Sequence, residues 1–138
     1  MSVSRDRPDT PALHLALEPG PGAPAEARAA IAEFSENNGF DTDTLATLML
    51  LVSEIVTNAV VHPEVQPPTE VSVLARVTGP TIRVEIADQG SGFAPEERDP
   101  SRVDGGYGLY LLDKAAARWG VECRGGTTVW FELPAQAV

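Results

Sequence analysis

The chain has 138 residues, of which 43% are hydrophobic and 22% charged, a size and composition that fit one globular domain and exclude a disordered or fibrous chain. Its formal net charge is −10, opposite in sign to the basic footprint of nucleic-acid binding, and it has no Gly-x-x-x-x-Gly-Lys phosphate loop. No apolar run reaches the roughly 18 residues of a membrane helix. The polar start "MSVSRDRPDTPA" lacks a signal-peptide core, and the single cysteine, Cys123, excludes an internal disulfide, so a cytoplasmic location is expected.

In chain order, residues 1–11 read as a loose tail and 12–138 as one domain. "ALHLALEP" alternates Leu13, Leu15 and Leu17 against His14, Ala16 and Glu18, the pattern of a strand with one buried side. "GPGAP" is a turn, and "AEARAAIAEFSENNG" is helical with Gly39 as C-cap. "DTDTLATLMLLVSEIVTNAVVH" opens on capping residues and runs as a long helix until Pro63. "EVSVLARV" and "TIRVEIAD" form a hairpin across Thr78, Gly79 and Pro80. The stretch from Gly90 to Gly106 is polar, broken by glycine and proline, and longer than an ordinary connection. "YGLYLLDKAAARWG" is helical, and "VECRGGTTVWFELP" closes as a hairpin across Gly125 and Gly126. The order β-α-α-β-β-loop-α-β-β predicts an α+β two-layer sandwich, one antiparallel or mixed sheet with helices on one face.

The long helix carries chemistry. Its apolar residues, from Leu45 to Val61, cover most of its circumference, so it should be largely buried. Glu54, Asn58 and His62 nevertheless fall at i, i+4 and i+8, one narrow stripe. Either the stripe faces solvent, or it lines a cavity that holds a cation and a polar ligand. A carboxylate and an amide oxygen one turn apart suit Mg²⁺, a hard ion with oxygen ligands.

Two glycine clusters follow. "VEIADQGSGF" sets Asp88 at a strand end, with Gly90 and Gly92 beyond it. Glycine allows close backbone approach to a ligand, and the carboxylate can accept a hydrogen bond from a ligand amino group. "GGYGLYLL" sets Gly105, Gly106 and Gly108 at the start of a helix, whose free amides make an anion site without a basic residue. Each cluster alone reads equally as a turn or a hinge. Gly125-Gly126-Thr127-Thr128 is a tight hairpin carrying hydroxyls.

The succession is specific. Glu-x-x-x-Asn on an apolar helix, Asp-x-Gly-x-Gly after a strand, a polar loop and Gly-x-Gly-Leu opening a helix together resemble the GHKL (Bergerat-fold) ATP-binding domain, shared by gyrase, histidine kinases and MutL. Residues 53–62, 84–93 and 105–112 resemble its N, G1 and G2 boxes, and the likeness covers residues 12–134. Within that family, "SEIVTNAVVH" and "GGTTVWFELP" are most similar to the small bacterial anti-sigma-factor serine kinases of the RsbW and SpoIIAB type.

The resemblance implies ATP and Mg²⁺ as cofactors. It gives Glu54 the role of orienting or deprotonating the acceptor, Asn58 the Mg²⁺, and Asp88 the adenine amino group, with Gly90 and Gly92 shaping the base pocket. Gly106 and Gly108 would wrap the phosphates. His62, Tyr107 and Leu109 belong to the same boxes as nucleotide-binding candidates, and Thr128, or alternatively Thr127, would support Asp88. Residues 93–105, with Arg98 and Arg102, would be a lid. Many relatives place Lys or Arg where Val61 stands. The implied activity is serine/threonine phosphorylation of an anti-sigma antagonist, with a sigma factor as second partner and a homodimer as the expected assembly. An ATP-gated binding module without catalysis, or a catalytic subunit serving a separate histidine phosphotransfer protein, are the alternatives.

Overall fold

A computed structural model of the chain describes residues 12–60, 70–88, 107–123 and 126–135. The elements are β1 (Ala12–Leu17), α1 (Ala23–Asn38), α2 (Thr42–Val60), β2 (Val71–Thr78), β3 (Thr81–Asp88), α3 (Tyr107–Ala115), β4 (Arg118–Cys123) and β5 (Thr127–Pro134). The five strands form one sheet in the order β1-β2-β3-β5-β4, and every pairing is antiparallel. This is the predicted α+β architecture, with the sheet antiparallel throughout.

Alternation along the strands decides which face is covered. Val71, Val73 and Ala75 on β2, Ile82, Val84 and Ile86 on β3, and Val129, Phe131 and Leu133 on β5 are buried. The register sets them side by side. Onto this face pack Ala27, Ile31 and Phe34 of α1, Leu48, Leu51, Val52, Ile55 and Val56 of α2, and Leu112 of α3. At about 25 cal/mol per Å² of apolar area removed from water, this shared core is the main force holding the two layers together.

Local chemistry sets the element ends. α1 starts with Pro in its first turn, where a missing amide is harmless, and ends at Gly39 in the left-handed conformation (φ 69°). The β2–β3 turn needs a positive φ at Gly79 (φ 59°), which glycine adopts without a Cβ penalty. α2 begins where Asp41 accepts a hydrogen bond from the Thr44 amide at 2.8 Å.

Two expectations change. The helix after Tyr107 stops at Ala115, and Arg118, Trp119 and Gly120 belong to β4. The Ala116 amide still closes a helical bond to Leu112, but the Ala117 amide already donates to the Glu132 carbonyl of β5 at 2.9 Å. Strand pairing captures the backbone despite the helix-favouring alanines. α2 is buried on one side only, and Leu50 is 45% exposed. By length and composition α2 would also suffice to cross a membrane, with 19 residues and a mean hydropathy of 1.4, although Thr47, Ser53, Glu54 and Asn58 interrupt any apolar run. In this fold it is the central core helix.

Candidate functional site

Two registers orient the molecule. β3 ends at Asp88, and β5 begins opposite it at Thr127. At the other end of the sheet, Leu133 and Pro134 of β5 share a cleft of about 290 Å³ with Asp41, Asp43, Thr44 and Thr47 of α2 and with Ala115 of α3. The start of α2 and the finish of α3 therefore lie together at the Pro134 end. α2 rises about 1.5 Å per residue, so its 19 residues span about 28 Å, close to the length of the eight-residue strands. Its last turns, carrying Glu54 and Asn58, thus reach the Asp88–Thr127 end, and α3 begins at Tyr107 near that end too.

Helical spacing sets the direction of the stripe. Thr47, Glu54 and Asn58 share one flank of α2, at seven and then four residues apart, and Thr47 lines a cleft with α3. The flank therefore looks toward α3. A neighbouring flank, about 100° round the helix, is engaged elsewhere, because Arg28 of α1 donates to the Ser53 hydroxyl at 3.0 Å. Glu54 is half-buried. Asn58 is only 5% exposed, and its side chain has no hydrogen-bond partner among the described residues. An unpaired amide in such a place costs about 1–3 kcal/mol, so it marks a position that a ligand can satisfy.

Asp88 has the parity of Ile82, Val84 and Ile86, which places it on the covered face of the sheet. Directly across from it stands Thr127, 3% exposed. Thr128 instead pairs with Ala87 and alternates to the uncovered face. The hydroxyl beside Asp88 is therefore that of Thr127, not Thr128. The parity was present in the sequence, since Thr127, Val129, Phe131 and Leu133 form one period-2 series.

The third component is the N-terminus of α3. Tyr107, Gly108 and Leu109 are its first three positions, and no acidic residue occupies its first turn. Its leading amides and positive dipole end face the same end of the molecule as Asp88 and Asn58. His62, Gly90, Gly92 and Gly106 lie outside the described residues, as do Val61, Arg98, Arg102, the tail 1–11 and the lid 93–105.

The structure thus brings Glu54, Asn58, Asp88, Thr127 and the start of α3 to one end of the sheet. Among the described residues no group of three or more His, Cys, Asp or Glu could hold a metal by itself. The amide oxygen of Asn58 fits an ion that takes few protein ligands and completes its shell with water and phosphate oxygens, as Mg²⁺ does. The cleft at the other end lies about 20 Å from Asn58 along α2 and contains none of these residues.

Comparison with known proteins gives the family of the fold. A histidine kinase-like ATPase domain model matches residues 17–133, nearly the whole described fold, and the chain belongs to that family. Within it, the chain is 30% identical to the serine-protein kinase RsbW of Bacillus licheniformis over 115 residues, covering 74% of this chain and 72% of the relative. It is 33% identical over 104 residues to the serine-protein kinase RsbW of Bacillus velezensis, covering 66% and 65%. A crystal structure of the RsbU and RsbW domains of a Mycobacterium tuberculosis protein superposes with a TM-score of 0.69 at 24% identity, covering 93% of this chain and about a third (34%) of that one. This last likeness supports the fold.

Proposed function

We propose that the chain binds ATP with Mg²⁺ and transfers the γ-phosphoryl group to a serine or threonine hydroxyl of a small partner protein, an antagonist of an anti-sigma factor. A cytoplasmic sigma factor would be its other partner. The observation that carries the reading is Asn58, a buried amide without a partner among the described residues, one turn from Glu54 on the flank that faces α3.

Phosphoryl transfer asks little covalent work of a protein. It needs positioning, charge neutralisation and one group to orient the nucleophile. Asp88 accepts a hydrogen bond from the adenine amino group, with the Thr127 hydroxyl across the strand pair beside it. The amides opening α3, with Gly108 leaving its second position open to close approach, hold phosphate oxygens in a chain whose net charge of −10 would otherwise repel them. Asn58 would hold Mg²⁺, which when bound neutralises charge on the phosphates. Glu54 accepts the hydrogen bond of the acceptor hydroxyl and takes its proton as that oxygen bonds to the γ-phosphorus and ADP leaves. Its half-exposed position suits a group that must meet a substrate arriving from solvent.

Calorimetric titration with ATP and Mg²⁺ tests the binding step, and Asp88→Asn should abolish most of the affinity. Unaltered binding by that variant would remove the adenine assignment. Transfer of radiolabelled phosphate to candidate antagonist proteins tests the chemistry. Binding without transfer would leave the ATP-gated binding module.

A further inference from the structure

The cleft at the start of α2 lies about 20 Å from Asn58 and shares no residue with the candidate nucleotide site. Its chemistry is one-sided. Asp41, Asp43 and Thr47 supply polar groups from the start of α2, and Ala115, Leu133 and Pro134 supply apolar surface. None of the described residues that line it is basic. Its volume, about 290 Å³, stands at the lower edge of the roughly 300–1,000 Å³ range of small-molecule sites.

The helix ends around the cleft leave it negative. The positive end of α2 is already answered by Asp41, whose carboxylate takes the Thr44 amide at 2.8 Å. Asp43 is exposed, and its carboxylate has no partner among the described residues. The finish of α3 adds to the same field. The Ala117 amide, four residues beyond Asp113, donates to the Glu132 carbonyl of β5 at 2.9 Å instead of closing another helical bond. The carbonyls of Asp113, Lys114 and Ala115 therefore end α3 without helical partners, and Ala115 borders the cleft. Lys114, the neighbouring cation, is turned away. Its ammonium lies 5.4 Å from the centroid of the Tyr110 ring, one turn back toward the start of α3.

We propose that this cleft binds a small aliphatic amine, its ammonium held by Asp41, Asp43 and the end of α3, its carbon chain lying along Ala115, Leu133 and Pro134. An ammonium donates three hydrogen bonds and accepts none, so it matches carboxylates and carbonyls that can only accept. It also relieves the repulsion between two carboxylates that share one cleft. An anion would meet that repulsion unrelieved. A bare divalent ion takes oxygen ligands alone and would leave the apolar half unused. At about 30 Å³ for each water-sized group, the cleft has room for about ten such groups, enough for a short carbon chain. The site does not depend on the nucleotide reading, and its distance from Asn58 lets both be filled at once.

Amide proton–nitrogen correlation spectra of the full chain, titrated with butane-1,4-diamine at matched ionic strength, test it. The expected result is a saturable set of shifts confined to residues 41–47, 115–117 and 133–135. Asp43→Asn should weaken the binding about fivefold, the weight of one partly exposed ionic contact. Ala115→Lys, which sets an ammonium of the chain's own at the cleft, should abolish it, while the α1 surface variant Glu33→Gln leaves it unchanged. Both cleft substitutions fall at exposed positions, and circular dichroism melts establish that the variants are folded. Shifts scattered over the acidic surface without saturation overturn the proposal, as does binding that both cleft variants leave intact. Magnesium chloride producing the same cleft shifts at lower concentration would make this an inorganic cation site and overturn it too. Acetyl-lysine-methylamide carries the same ammonium on a peptide, and cleft shifts with it but none with the diamine would overturn the free-amine assignment.

Discussion

The two ends of α2 treat polar groups in opposite ways. At the start, Asp41 closes the helix from within the chain: its carboxylate accepts from the Thr44 amide at 2.8 Å, and its carbonyl accepts from the Leu45 amide at 3.0 Å. The Thr44 amide, with the Thr44 hydroxyl adding to it, holds the Asp41 carboxyl below the usual carboxylate range. At the finish, Asn58 is buried to 5% exposure and left without a partner among the described residues, with half-exposed Glu54 one turn before it. The same rigid rod joins an end satisfied among the described residues to one that is not. A satisfied polar group explains why the helix starts where it does. One left without a partner among the described residues is where the proposed ligand would bind.

The sharpest test of that contrast is chemical. Glu54→Gln should lower phosphoryl transfer by about 10²- to 10⁴-fold, the usual weight of a general base, with ATP affinity kept within a few-fold. A Kd that collapses together with the rate would make Glu54 a binding group. Next in size is Leu51→Ala, which removes a side chain with 0% exposure in the middle of the helix and should cost about 2–5 kcal/mol in urea unfolding. It should loosen both ends alike in hydrogen exchange. Loss of protection at one end alone would show that the ends fold independently and would break the comparison.

A subtler outcome separates function from stability at one position. Asn58→Leu should keep or raise the Tm of the ligand-free protein, since it removes an unpaired buried amide. The same substitution should erase the Tm increase produced by ATP with Mg²⁺. A large Tm loss without ligand would mean that the amide has a structural partner. The smallest effect belongs to the closed end. Asp41→Ala should lower Tm by a few degrees at neutral pH. Because the folded-state pKa of Asp41 is depressed, its contribution is present above the unfolded value of about 3.9 and disappears as pH falls through the lower folded value. The gap between wild type and variant should therefore close in acid, and a gap independent of pH would contradict the cap.

Much of this fold was legible because its signals are local. Leu13, Leu15 and Leu17 show their buried side in the sequence, Gly39 ends α1 as a glycine C-cap should, and Gly79 with Pro80 marks the β2–β3 turn. The helix–strand boundary after Ala115 was not legible, because the decisive bond comes from Glu132, fifteen residues beyond Ala117. The choice between Thr127 and Thr128 turned on strand parity, which the register supplies directly. The identities of Glu54, Asn58 and Asp88 stood out as polar residues in apolar or strand-end settings. That they gather at one end of the sheet follows only from the antiparallel run of α2 and α3, a long-range fact that no local window contains.

The β4–β5 register has a practical consequence. Cys123, exposed and the sole thiol of the chain, pairs with Thr127, which in turn faces Asp88. The native protein therefore comes with a single attachment point for a thiol-reactive dye, two strands from the residue proposed to bind adenine. A fluorophore coupled there would report nucleotide entry in real time from an otherwise unaltered chain, so arrival and departure could be timed separately from the chemistry.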